Sequence, residues 1–341
     1  MGKISFTYQL NHQNIEAKNI IGEIEFGTTF SLYNNREVAI YPKYDSIHWI
    51  NKCIVSDNIL LIEVEDSFFT EDIVFDKILT TFLFNLLDFG KLKLVSVDFS
   101  KSFLANNFPN PFPKIKNTPA LGTILKPYYQ SLNDKKEMVS QLAECGLRVI
   151  KEDETFLVPK DQILRHSVEL QYLFNEKGFY IPNITSYVAD YPFIERLIND
   201  AGVGIVMINF LVCGLGNVFR LKKNFPNLGI WGHRVGYSAI ENYISIQAIS
   251  QMAVTAGIDY LHIGTPESQS FFEEKQRLIK NLNGVRPFKA VFTKTTETTI
   301  HKLVTTFKDE VIYLACGSLR NIDGISLDIK RVQNWVRNAR S

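Results

Sequence analysis

Over the first hundred residues the spacing of apolar positions changes several times. Ile4–Leu10 alternates apolar and polar side chains, the two-residue repeat of a half-buried strand. Ile59–Val64 is a short apolar run, and Phe75–Leu87 carries apolar residues at helical spacing. The mixture predicts a small α+β domain over residues 1–107. The stretch Leu104–Thr118 (LANNFPNPFPKIKNT) follows, with three prolines that interrupt any regular element and mark a boundary.

Beyond it the texture becomes regular. Short apolar runs recur roughly every 22 to 32 residues, separated by amphipathic stretches: Ala120–Lys126, Leu147–Lys151, Phe179–Ile184, Gly204–Asn209, Gly229–His233, Tyr260–Ile263, Lys289–Phe292 and Val311–Ala315. Eight strand–helix units predict an α/β fold, a (β/α)8 TIM barrel over 118–341 preceded by the smaller α+β domain. An open doubly wound sheet shows the same alternation, so periodicity alone leaves both open. A barrel places functional groups at the C-terminal strand ends. Those ends carry Lys126; Lys151, Asp153 and Glu154; Asn183; Asn209; His233; His262; Thr293; and Cys316-Gly317-Ser318. A purely structural barrel has no reason to gather polar residues at so many strand ends.

Composition narrows the function classes. Of 341 residues, 45% are hydrophobic and 21% charged, with a net charge of +1, so no strong field asks for nucleic acid or an anionic membrane. No apolar run reaches the roughly 18 residues of a membrane span. The opening MGKISFTYQL lacks the apolar region of a signal peptide, and its serine lies one place early for a myristoylation signal; the expected location is cytoplasmic. Cys53, Cys145, Cys213 and Cys316 form no CxxC pair and are expected to be free thiols. There is no GxGxxG or P-loop, and CGLGN at 213–217 has too few glycines for a nucleotide site. His166 and His301 fall on helical stretches and are expected at the surface; Phe82, Phe84 and Phe89 are expected in the core or a dimer contact.

The richest chemistry lies in Lys151-Glu152-Asp153-Glu154. In extended backbone Lys151 and Asp153 face the same side, and Glu154 can turn in where the strand ends. Two carboxylates suit a hard cation such as Mg2+. A lysine ammonium would repel that cation, whereas a lysine that has added CO2 is an anionic carbamate and a third oxygen ligand. Taken alone, the same four residues also describe a solvated charged turn.

Several segments together resemble one family. GLRVIKEDE at 146–154 resembles the RuBisCO-superfamily segment whose lysine is carbamylated and whose acidic pair holds Mg2+. ALGTILKPY at 120–128 resembles the first-strand segment, with Lys126 in the place of a catalytic acid/base. WGHRVGYSAI at 231–240 resembles the fifth-strand segment, whose His-Arg pair, here His233 and Arg234, binds and protonates substrate. AGIDYLHIGT at 256–265 resembles the sixth-strand segment, whose histidine, here His262, contacts a substrate phosphate. The matches keep their order from about residue 3 to the last residue, and the 289–318 stretch resembles strands seven and eight. The resemblance implies catalytic roles for Lys126, Lys151 and His233, and a metal site of Lys151, Asp153 and Glu154. It implies Mg2+ and CO2, the latter as a carbamate on Lys151, as cofactors. It places Asn85, Arg234, His262, Thr293, Lys294, Gly317 and Ser318 around a small-molecule keto substrate. Glu23, Thr28 and Asn85 align with parts that reach a neighbouring subunit's site, which implies a homodimer with shared active sites.

The departures from the family pattern shape the expected reaction. The carboxylases carry a lysine seven residues past the sixth-strand histidine; here it is Gln269, which has no charge to stabilise a carboxylation transition state. A second family lysine is here Tyr128, and the base of the salvage enolases aligns with Asn85. The glycines that cradle phosphate after strands seven and eight are replaced in Thr293-Lys294-Thr295 and Cys316-Gly317-Ser318, which favours a monophosphate or an unphosphorylated substrate over a bisphosphate. The expectation is Mg2+-dependent enolisation ending in tautomerisation, isomerisation or decarboxylation, not CO2 fixation. The alternative is a non-catalytic metabolite binder on the same fold.

Overall fold

The computed structural model describes residues 2–10, 50–69, 74–84, 86, 92–100, 119–126, 131–155, 157–174, 178–265, 268–320 and 326–341. The chain forms two compact units, 1–108 with 236–256, and 109–235 with 257–341.

The first unit holds an antiparallel sheet of β1 (Lys3–Leu10), β2 (Ile50–Ser56), β3 (Ile59–Glu65) and β4 (Leu92–Asp98), in the order β2-β3-β1-β4. The alternation read for Ile4–Leu10 is real, with Ile4, Phe6, Tyr8 and Leu10 of β1 buried; the apolar run at Ile59–Val64 also alternates, with Leu60, Ile62 and Val64 of β3 buried. Phe6 stacks on Phe82 at 4.4 Å between ring centroids, which places Phe82 in the core as expected. The residues before helix Ile246–Ala256 add to the β4 edge: Leu94 N donates to Tyr243 O and Ser245 N to Leu94 O.

The second unit is an eight-stranded parallel barrel: β5 (Ala120–Ile124), β6 (Val149–Lys151), β7 (Phe179–Ile181), β8 (Ile205–Asn209), β9 (Gly229–His233), β10 (Tyr260–His262), β11 (Lys289–Phe292) and β12 (Val311–Leu314). The open-sheet alternative is thereby removed. Closure comes where β7 meets β8: Met207 N donates to Pro182 O and Ile184 N to Met207 O. Pro182 ends β7 earlier than the apolar run suggests because it has no N–H to give the ladder.

Helices α1 (Leu132–Glu144), α2 (Lys160–Tyr172), α3 (Tyr191–Asn199), α4 (Leu215–Asn224), α5 (Ile246–Ala256), α6 (Gln269–Asn283), α7 (Ile300–Phe307) and α8 (Ile329–Arg340) alternate with or follow the strands. Their starts are written locally. Ser131 and Asp134 form a reciprocal capping box on α1, and Asp190 and Asp328 cap α3 and α8. No helix among the described residues is long and apolar enough to cross a membrane.

The barrel interior is a cluster of Ala120, Ile124, Val149, Ile181, Ile205, Met207, Trp231, Tyr260, Val291, Ile312 and Leu314. Gly122 sits where β5 runs closest to its neighbours; a β-carbon there would lie 2.2 Å from Val149 O and 2.9 Å from Leu314. Strand side chains alternate inside and out. Stepping two residues onward from the last apolar core position gives Lys126 after Ile124, Lys151 after Val149, Asn183 after Ile181 and Asn209 after Met207. It likewise gives His233 after Trp231, His262 after Tyr260, Thr293 after Val291 and Cys316 after Leu314. The packing that closes the barrel thus aims a ring of polar residues at its C-terminal mouth.

Candidate active site

At the end of β6, Lys151 is wholly buried. Its Nζ donates to Glu154 Oε2 at 2.6 Å and to the Glu152 carbonyl at 3.1 Å, and lies 3.4 Å from Met207 Sδ. Burial lowers its pKa, against the opposing pull of Glu154. Beside it, Lys126 Nζ is 3.0 Å from Asp153 Oδ2. Burial pulls the Lys126 pKa down, but the hydrogen bond and charge of Asp153 outweigh it and the net shift is upward. Without a cation, then, Lys126 is held protonated. Asp153 Oδ1 accepts from Thr155 N at 2.9 Å and Thr155 Oγ1 at 2.7 Å. Burial raises the Asp153 pKa, and these bonds together with Lys126 bring it below the usual carboxylate value. Glu154 is lowered as well, burial being overcome by Lys151 and His233.

Across the mouth, His233 Nε2 lies 3.6 Å from Glu154 Oε1. His233 Nδ1 accepts the Val235 N–H at 3.2 Å, which puts the proton of the neutral ring on Nε2. Burial and the Lys151 charge lower its pKa to about 3, so the ring is neutral at physiological pH. His262 packs against it with the rings tilted by 51° and their centroids 4.3 Å apart, and its buried Nε2 has no hydrogen-bond partner among the described residues. Arg234 Nε donates to the His262 carbonyl at 3.1 Å.

The loops after β11 and β12 meet: Ser318 Oγ donates to Thr295 O at 3.0 Å. Lys294 has a left-handed backbone, φ 57°. A lysine thus occupies, under strain, a backbone conformation that favours glycine. Thr295 Oγ1 is buried and unpartnered among the described residues. Cys316 lies within electrostatic reach of Lys151, Glu154 and Lys126; burial pushes its thiol pKa up. A β-carbon on Gly317 would meet nothing within 4 Å among the described residues.

Lys126, Lys151, Asp153, Glu154 and His233 therefore converge, with His262 and Arg234 adjoining, while Thr293 and Lys294 lie at the end of β11 and Gly317 and Ser318 at the end of β12. Asn85, Glu23 and Thr28 lie outside the described residues, as do Tyr128 and the side chain of Gln269. Gln269 begins α6.

Two features escaped the sequence reading. His166, expected at the surface, is buried, with its Nδ1 3.7 Å from Glu152 Oε1. The signal was present: Ile163, His166, Ser167 and Leu170 form one helical stripe, and all are buried on α2. Glu152, pointing away from the barrel axis, is anchored by Lys135 Nζ at 3.0 Å and Tyr180 OH at 2.7 Å. His301 is exposed as expected.

A metal can be tested against these donors. Among the described residues no three His, Cys, Asp or Glu side chains gather into a cage. Asp153 and Glu154 supply two hard oxygen donors and need a third. CO2 adds to a neutral amine, and burial moves Lys151 in that direction. The residues fit Mg2+ with a lysine carbamate.

No family model matches the chain. A curated ribulose bisphosphate carboxylase of Methanocaldococcus jannaschii is 30% identical over 167 residues, 45% of this chain and 39% of that protein. The chain thus matches less than half of that relative's length. Three solved structures share the fold. An octameric RuBisCO of Pyrococcus horikoshii superposes with TM-score 0.79 at 18% identity, covering 99% of this chain and 89% of that one. A rubisco-like protein of Burkholderia fungorum gives 0.73 at 17%, covering 99% and 92%. A dimeric RuBisCO of Hyperthermus butylicus gives 0.74 at 18%, covering 99% and 90%. Similar in sequence to an archaeal carboxylase over 45% of its length, and in fold to carboxylases and rubisco-like proteins alike, the chain resembles a divergent RuBisCO-like protein.

Proposed function

We propose that the barrel mouth enolises a small keto substrate, sugar-like and carrying at most one phosphate, and returns the proton to yield a tautomer, an isomer or a decarboxylated product. The observation that carries this reading is the wholly buried Lys151, its pKa lowered, 2.6 Å from Glu154 and beside an Asp153 that is itself within 3.0 Å of Lys126. Asp153, Glu154 and a carbamate on Lys151 would hold Mg2+, whose Lewis acidity stabilises negative charge on a keto oxygen.

The chain's own groups do the rest. Asp153 holds Lys126 Nζ protonated in the absence of a cation; a cation on Asp153 would weaken that pairing, and Lys126 Nζ would then take the proton from the substrate carbon and give it back to form product. Neutral His233, with Nε2–H facing the mouth and Nδ1 tied to Val235, donates a hydrogen bond to a developing oxyanion without a net charge of its own. His262 Nε2 and Thr295 Oγ1, unpartnered among the described residues, would receive a single anionic group together with Arg234, Thr293, Lys294, Gly317 and Ser318. Gln269 and Tyr128 in place of the carboxylases' lysines support proton return over CO2 capture. The dimeric neighbour supports a homodimer.

One observation favours a second reading, a non-catalytic metabolite binder. Both carboxylates are already neutralised by lysines, Glu154 by Lys151 and Asp153 by Lys126, so the site balances its charge without a cation. Calorimetry of Mg2+ binding with and without bicarbonate, on the native protein and Lys151→Ala, separates the two. Bicarbonate-dependent binding confined to the native protein, followed by solvent deuterium uptake into keto acids or keto-sugar phosphates, supports the enzyme. Absence of Mg2+ binding under every condition rejects the enzyme in favour of the binder.

A further inference from the structure

We infer that Asn183 is a positioning residue: it holds the main chain of the acid pair and links that pair to His233 through a belt of hydrogen bonds across β7, β8 and β9. Asn183 Nδ2 donates to both the Asp153 carbonyl, at 3.1 Å, and the Glu154 carbonyl, at 3.3 Å. Its Oδ1 accepts from Thr185 N at 3.1 Å and Thr185 Oγ1 at 2.7 Å. Every polar atom of this buried amide is therefore directed, which fixes its orientation. Thr185 Oγ1 in turn accepts Asn209 N–H at 2.9 Å. Asn209 Nδ2 donates to Val235 O at 3.1 Å, and Val235 N–H is the group that sets the His233 tautomer. One strand end after another is tied by a side chain where the barrel ladder stops.

The tether matters because of what lies behind it. A cavity of about 20 Å³, room for one water, borders Asp153, Asn183, Glu152 and His166. Lys135 and Tyr180 hold Glu152 outward, but the main chain of Asp153 and Glu154 runs past the end of the β6 ladder beside this cavity and needs its own support. The two carbonyl bonds from Asn183 supply it. Metal-ligand orientation by such outer partners typically changes affinity by about 10- to 100-fold.

The test uses the whole protein and two variants. Asn183→Ala removes both donors; Asn183→Asp is nearly isosteric but turns an oxygen toward two carbonyl oxygens. In the metal-free protein, amide exchange of Thr155, whose N–H caps Asp153, is expected to accelerate at least about tenfold in Asn183→Ala and further in Asn183→Asp, beyond the even rise that the loss of global stability brings to the rest of the barrel. Mg2+ affinity of the folded protein in bicarbonate should fall about tenfold or more, a split that a merely structural residue would not give. Partial recovery in Asn183→Gln supports donation by the amide. Unchanged exchange at 152–155 in both variants overturns the inference, and so does exchange that rises evenly through the barrel. The metal arm rests on the function proposed above; native protein that binds no Mg2+ defeats that function alone, and the exchange arm still decides the role of Asn183. If Asn183→Ala does not fold, Thr185→Val, which removes the hydroxyl joining Asn183 to Asn209, is expected to raise exchange at 152–155 in the same direction but less, and unchanged exchange there overturns the belt.

Discussion

Lys151 and Glu154 meet at 2.6 Å, but the two partners are not equally buried: the lysine side chain is 0% exposed and the glutamate 14%. Removing one partner of a buried pair leaves the other charge uncompensated, and the cost follows the burial of what remains. Glu154→Gln strands a cation with no access to water, so it is expected to destabilise by about 2–4 kcal/mol, limited by the lysine's ability to lose its proton. Lys151→Met leaves a carboxylate that touches solvent and lies near His233, and is expected to be close to neutral. Denaturant melts of both variants in metal-free buffer check this order; a Lys151→Met that costs more than Glu154→Gln overturns it.

How much of this was legible beforehand follows from one rule. Apolar runs give strands, alternation gives the inward face, and the inward face carried two residues further gives Lys126, Lys151, Asn183, Asn209, His233, His262, Thr293 and Cys316. The rule stops at the barrel wall. Glu152 points outward from the same strand end, and its partners Lys135, His166 and Tyr180 lie on α1, α2 and β7, brought together only by packing. Strand periodicity says which way Glu152 faces but not what waits there. The Lys126–Asp153 and Lys151–Glu154 pairings likewise depend on side-chain reach, which spacing does not fix.

His233 has a stability signature with a definite sign. Its pKa in the fold is about 3, against about 6.5 for an exposed histidine. Between those values the unfolded chain binds a proton that the folded protein refuses. Stability therefore rises with pH across the window, is fully present above about 6.5, and is lost progressively as pH falls toward 3. His262 and the paired carboxylates add acid lability of their own, so the His233 share is isolated by difference. His233→Gln should flatten the stability–pH curve between pH 6.5 and 3, by a few kcal/mol at the acid end. Parallel curves for the two proteins would mean that His233 is readily protonated in the fold.

Lys294 has φ 57°, a region that costs a side chain with a β-carbon on the order of 1 kcal/mol. Lys294→Gly relieves that strain while enlarging the freedom of the unfolded chain, two effects of opposite sign. The expected net result is a small change, within about 1 kcal/mol. Lys294→Ala keeps the strain and removes the charge. If Lys294 receives an anionic group, both variants should weaken binding of sulfate or phosphate similarly, measured by calorimetry. Equal affinity in all three proteins would show that the loop backbone, not the lysine charge, makes the contact.

The N-terminal end of the barrel supplies a control on all of these. Asp259, wholly buried just before β10, accepts from Lys222 Nζ at 2.8 Å, Ile230 N at 2.9 Å and Arg286 Nη2 at 2.8 Å. Lys222 Nζ also donates to Leu228 O at 2.9 Å. The carboxylate thus joins α4, the start of β9 and the segment before β11, at the end where barrel residues serve stability and not chemistry. Asp259→Ala leaves two buried cations facing each other and a strand N–H without its acceptor, and is expected to cost about 3–5 kcal/mol. Asp259→Asn keeps an oxygen for Ile230 and should cost less. Because the cluster lies at the opposite end of the strands from Lys151, the folded fraction of either variant should bind Mg2+ in bicarbonate as the native protein does. A loss of affinity beyond the loss of folded protein would show that the two ends of the barrel are coupled; full stability in Asp259→Ala would show that the triad merely balances its own desolvation.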